Sequence, residues 1–247
     1  MFLFKQAVLV AMTMVMAVTL VSCAPEFAQQ RLASGEVMKM LSASDGDRRL
    51  NISSTSACTI GSSVVAVYAS EAFGVRAWAG SGFVVGDGRH VLTAFHVMRH
   101  GGSWSVSALP CDAHGGRREG THAEAVAIAW DAVADVALLE IQTSQPWPAL
   151  ALSSASAGDL PPAAPLWLYG AVSFAARGTL APQRFFGGWD VTVRGEAEPG
   201  DSGGAVLDAH HQVVGLAVAK AVRGGEYDFV PVGEALDALR YGQRTFR

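Results

Sequence analysis

An all-β fold of two similar β units, closed by one C-terminal helix, is predicted by three features of the sequence. From Gly61 onward, short runs rich in Val, Ile, Leu and Ala recur between Gly, Asp and Ser: SSVVAVYAS, GSGFVVGD, HVLTAFHV, AEAVAIAW and ADVALLEIQ. Strand-like runs at that interval point to a barrel or sandwich. The stretch TSQPWPALALSSASAGDLPPAAP, poor in charge and rich in proline and serine, then breaks the pattern. A second set follows: LWLYGAVSF, ARGTLA, RFFGGWDVTVRG, SGGAVLDAHHQVVGLAVAK and EYDFVPV. Lastly, VGEALDALRYG spaces Ala235, Leu236 and Leu239 for one helix face.

Size and charge bound the rest. The chain has 247 residues, 50% of them hydrophobic, enough for a substantial core. A net charge of −4 with no basic run excludes nucleic acid as an expected partner. No fixed-period repeat is visible, and no stretch beyond the N-terminus approaches membrane-spanning length.

The first element is a leader. Lys5 precedes an uncharged run from Gln6 to Ser22, the shape of a secretory signal. It ends in Leu20-Val21-Ser22-Cys23, which resembles the bacterial lipobox; that resemblance implies cleavage before Cys23 and a diacylglycerol on its thiol. A simple signal peptide or an uncleaved anchor helix are the alternatives. With Ala24 next, the expected location is the cell envelope, on the outer membrane in a diderm host. Residues 1–22 are thus read as signal peptide and 23–60 as a tether, within which EFAQQRLASGEVMKML has helical character. About 30 flexible residues would span ~30 Å. Residues 61–145 form the first β unit, 146–165 the linker, and 166–247 the second β unit with the terminal helix. With the sequence ending at Arg247, no appended peptide-binding module is expected. Of the remaining cysteines, Cys58 and Cys111 either pair, as an exported domain allows, or stand as separate buried thiols.

Three stretches carry the chemistry. HVLTAFHV presents His96 after an apolar run, WDAVADVALLEI places Asp135 directly before another, and EPGDSGGAV sets Ser202 among Gly200, Gly203 and Gly204. Histidine, acid and serine in that order match one of the known orders of a nucleophilic triad. An esterase nucleophile elbow also reads G-x-S-x-G, but there the serine comes first. Asp131 competes with Asp135, and the run VALLEI favours the latter. His100, His114, His122, His210 and His211 lack such a context and are read as solvated loop residues; no metal signature is present and no cofactor is expected. The six tryptophans are read mostly as packing.

GSGFVV, LTAFH, DVALL and GDSGG, in order from Gly80 to Gly204, resemble the chymotrypsin-fold, trypsin-like serine peptidases. The resemblance implies two six-stranded antiparallel β-barrels with the active site in the cleft between them. It implies a serine endopeptidase acting on proteins or peptides, with Ser202 as nucleophile, His96 as base and Asp135 as its orienting acid. It implies an oxyanion hole from the N–H groups of Gly200 and Ser202. By the same likeness Glu196 stands at the floor of the first specificity pocket, favouring Lys or Arg, while Lys220 stands in the pocket wall and opposes that attraction. In trypsin-like zymogens the acid before the serine, here Asp201, pairs with a freed N-terminus. No stretch matches that activation site, so Asp201 is either satisfied internally or awaits a cleavage. The competing function is a catalytically silent, membrane-tethered binding protein on the same scaffold.

Overall fold

A computed structural model describes residues 57–70, 76–99, 103–111, 118–155, 157–181, 191–218 and 225–241. The expected signal peptide, Cys23 and most of the expected tether lie outside these residues. A short helix, α1 (Ala57–Gly61), leads into six strands: β1 (Val64–Ser70), β2 (Arg76–Val85), β3 (His90–Thr93), β4 (Ser103–Ala108), β5 (His122–Asp131) and β6 (Val136–Ile141). All pair antiparallel and close into a barrel in the order β1-β2-β3-β6-β5-β4. Six more follow: β7 (Pro165–Tyr169), β8 (Phe174–Leu180), β9 (Val191–Arg194), β10 (Ala205–Leu207), β11 (Val213–Val218) and β12 (Glu226–Pro231). They close into a second barrel, β10-β11-β12-β9-β8-β7. Read in the same direction, the two barrels have one strand order. Closure leaves no strand edge unpaired. The two-barrel expectation holds.

The strand missing from the sequence pattern is β4. Its run, SWSVSA, alternates serine with Trp104 and Val106, yet Ser105 and Ser107 are as buried as the apolar residues. Buried serines hid a strand that apolar periodicity alone could not reveal. At the other extreme β11, VVGLAV, is buried throughout. Val214 and Ala217 face the interior of the second barrel, while Val213, Leu216 and Val218 join the core shared with the first. A strand covered on both faces carries no polar alternation, and its continuous apolar run records that.

The terminal helix α2 (Val232–Tyr241) rests on β5 and β6 of the first barrel and on β11 and β12 of the second. It buries Val232, Ala235 and Leu239 in the common core. Leu236, expected on the same face, is only partly buried. The linker is also pinned to the second barrel: Val213 donates its N–H to Ala151 and accepts from Ser153 at 2.9 Å each.

Cys58 and Cys111 are paired, which decides the open alternative. The bond joins α1 to the chain between β4 and β5. Closing a loop of 53 residues' separation favours the folded state by about 4 kcal/mol on the chain-entropy model.

Candidate active site

β3 ends at Thr93, and the chain turns into a 3-10 helix, Phe95–Met98, that carries His96 at the mouth of the first barrel. Val97 and Met98 are buried and anchor the turn, leaving the imidazole 37% exposed. Asp135 approaches from the tight turn between β5 and β6. Asp131 shapes that turn: one of its carboxylate oxygens accepts the N–H groups of Val133 and Ala134 at 2.8 and 2.9 Å. The rival acid is therefore a turn former, which settles its role. Asp135 itself has φ of 53°, a left-handed conformation that Asp tolerates better than most residues.

Three bonds tie Asp135 to the histidine turn. Its carbonyl accepts from Phe95 N–H at 3.1 Å. Its Oδ1 accepts from His96 N–H at 2.8 Å, and its Oδ2 lies 2.7 Å from His96 Nδ1. With an ionised carboxylate there, Nδ1 is the protonated ring nitrogen, and Nε2 is left as the acceptor.

Ser202, 7% exposed, sits opposite on the loop before β10. Its carbonyl accepts from Ser81 N–H of β2 at 2.8 Å, so the two barrels meet at this residue. The next residue, Gly203, has φ of 87°, and a Cβ on it would stand 2.1 Å from Ser81 O and 3.0 Å from Ala94 N. Only a glycine permits the serine loop to reach the strand end that delivers His96. No hydrogen bond joins Ser202 Oγ to the imidazole in this structure. Such bonds are commonly loose before substrate is bound and tighten in the complex.

Residues 198–201 form a turn in which Asp201 N–H bonds Glu198 O at 3.0 Å. Pro199 takes the second position and Gly200, at φ 106°, the third. A positive angle there marks a type II turn, and glycine is what such a turn demands. A Cβ on Gly200 would also lie 2.3 Å from the Trp78 ring, which covers this residue while remaining 47% exposed. The N–H groups of Gly200 and Ser202 bond to no acceptor among the described residues.

Asp201 is fully buried, and its charge is met by backbone. Oδ1 accepts from Val172 and Ser173 N–H at 3.1 and 2.8 Å, and Oδ2 from Glu198 N–H at 2.8 Å. Of the two alternatives, internal satisfaction is the one realised. The Tyr227 phenol is pushed up from its ordinary range, first by burial and then by the Asp201 charge.

The other expected residues fare unevenly. Glu196 is exposed in the segment after β9, and Lys220 lies outside the described residues, as do His100 and His114. His210 is exposed and His211 partly so, both in the turn between β10 and β11; His122 is exposed but opens β5 instead of lying in a loop. Among the described residues no group of His, Cys, Asp and Glu could hold a metal ion. Sequence reasoning missed Ser81, Trp78 and the 171–173 loop. The glycines flanking Ser81 were the one available sign of a close approach.

A model of the trypsin-like peptidase domain matches residues 80–216. Solved structures that share the fold include the following three. An HtrA-type protease AlgW with decapeptide superposes with a TM-score of 0.60 at 16% identity, covering 77% of this chain and 67% of that one. A serine endoprotease from Yersinia pestis gives 0.58 at 16%, over 86% and 67%. The Rv3671c protease in an inactive form gives 0.54 at 22%, over 74% and 89%. Comparison with curated proteins finds no sequence match.

Proposed function

The chain belongs to the trypsin-like peptidase family and is a serine-type endopeptidase; from that premise we propose that it cuts peptide bonds through Ser202, His96 and Asp135 by way of an acyl-enzyme. Ser202 Oγ attacks the scissile carbonyl carbon as its proton passes to His96 Nε2. The new C–O bond moves the carbonyl electron pair onto oxygen, where the N–H groups of Gly200 and Ser202 meet the charge. Collapse breaks the C–N bond, and His96 returns the proton to the leaving amine. Water then repeats the attack, His96 taking its proton, and the acid is released with Ser202 restored. Asp135 holds the tautomer and stabilises the imidazolium.

The observation that carries this reading is the double attachment of one carboxylate, to His96 N–H and to Nδ1. A structural aspartate needs only one of them. A peptide substrate is in keeping with the decapeptide present in the AlgW structure. The buried satisfaction of Asp201 means that the loop needs no freed N-terminus to order it. The test is reaction with a fluorophosphonate. One adduct per chain is expected, with the added mass mapped to the peptide carrying Ser202. An unlabelled, folded chain would instead support the silent binding protein.

We propose further that the enzyme is exported and tethered through lipid on Cys23. The lipobox-like Leu20–Cys23 and the Cys58–Cys111 disulfide, at home in an oxidising compartment, support this reading. Mass spectrometry of detergent-extracted protein should find a diacylglyceryl modification on an N-terminal Cys23. An N-terminus at any other residue overturns it.

A further inference from the structure

Ser81 stands in β2 between two glycines, wholly buried, and its backbone and hydroxyl make four hydrogen bonds that bring four parts of the chain together. Its N–H donates to Ser202 O at 2.8 Å. Its carbonyl accepts from Thr93 Oγ at 2.7 Å, at the end of the strand that leads to His96. Its own Oγ donates to Gly200 O at 2.6 Å and accepts from Ala171 N–H at 2.7 Å. The latter belongs to the same loop whose Val172 and Ser173 hold Asp201. The neighbours have little freedom: a Cβ on Gly80 would lie 2.7 Å from Val97 and 3.0 Å from Ser202 O.

The turn at 198–201 explains why the hydroxyl matters. Types I and II differ by a flip of the peptide between the second and third residues, here the one bearing Gly200 N–H. The bond from Asp201 N–H to Glu198 O is compatible with either type. The Gly200 carbonyl, on the other side of the same residue, is held by Ser81 alone among the described side chains. Both bonds are part-buried, and losing the hydroxyl removes the one side-chain partner of that carbonyl and the partner of Ala171 N–H.

We propose that Ser81 is a positioning residue of the catalytic centre: its hydroxyl fixes the Gly200 end of the turn and couples it to the Asp201-holding loop, so that Gly200 N–H stays aimed at the reacting carbonyl. This rests on the oxyanion role assigned above to Gly200. Ser81 is wholly buried with its hydroxyl engaged by Gly200 and Ala171, so its effect falls on the transition state and not on ground-state binding.

The experiment compares wild type, Ser81→Ala and Ser81→Cys, using a fluorogenic peptide chosen from a library by wild-type cleavage and a peptide aldehyde of the same sequence. The aldehyde forms a hemiacetal with Ser202 and so reports the oxyanion site. For Ser81→Ala, kcat per titrated active site should fall about tenfold with KM within twofold, and aldehyde affinity should fall by the same factor. Ser81→Cys, with a weak donor of similar size, should lie between and decides the matter if the alanine variant fails to fold. Unchanged kcat, or a fall in kcat with unchanged aldehyde affinity, overturns the role of Ser81 while leaving the triad standing. A wild-type chain that neither cleaves nor forms the adduct overturns both.

Discussion

Asp135→Asn is expected to lower kcat about ten-thousand-fold, the size of loss that a wrong imidazole tautomer produces in this kind of triad. The fold should be retained. Asn adopts the left-handed conformation found at φ 53° at least as readily as Asp. Its side-chain oxygen can still accept from His96 N–H, where Oδ1 now sits at 2.8 Å. The amide nitrogen would then face Nδ1 across the 2.7 Å contact, and two donors cannot share it. Nδ1 becomes the acceptor, the proton moves to Nε2, and the base can no longer take the Ser202 proton. Steady-state kinetics on the folded variant read the effect. A loss below about a hundredfold would mean that Asp135 does not set the tautomer, and the proposed mechanism would fall with it.

Asp201→Ala is expected to cost both stability and activity. The carboxylate is fully buried and satisfies three backbone N–H groups, of Val172, Ser173 and Glu198. Removing it orphans all three, and a buried donor left without a partner costs about 1–3 kcal/mol. These bonds are part-buried, so each loss falls in the lower half of that range, and a total of roughly 3–6 kcal/mol is expected, a large share of the stability of a domain of this size. What does fold should have a disordered 198–201 turn, with kcat down about a hundredfold or more, as when an oxyanion donor is lost. Denaturant unfolding measures the first effect, and active-site titration followed by kinetics measures the second. Wild-type stability together with wild-type kcat would show that the loop is ordered by something other than Asp201. Wild-type protein should be active without any cleavage between Cys23 and the first barrel, because no amine is needed at this carboxylate.

The candidate site was legible wherever chemistry is written into a short stretch. His96 follows an apolar strand, Asp135 precedes one, and Ser202 sits among glycines whose backbone angles and close contacts only that residue allows. Asp131 and Asp135 could be separated only by family pattern, since both sit in one turn. In the fold, one is consumed by Val133 and Ala134 and the other reaches His96. β4 escaped because two of its buried residues are serines, which no hydrophobic pattern distinguishes from surface. Apart from the glycines flanking Ser81, nothing local marked it or the 171–173 loop as partners of the serine loop, for those bonds span 119, 90, 29 and 28 residues.

By itself the sequence determined the two β units, the closing helix and the candidate reactive side chains, because strand periodicity, turn residues and nucleophile motifs are properties of neighbours along the chain. Tertiary structure alone decided that Cys58 pairs with Cys111, that Asp201 is satisfied by backbone, and that Ser81 bridges the barrels. Each of these depends on groups that meet only after both barrels close and dock, and a hydrogen bond or disulfide has a reach of a few ångströms whatever the distance along the chain.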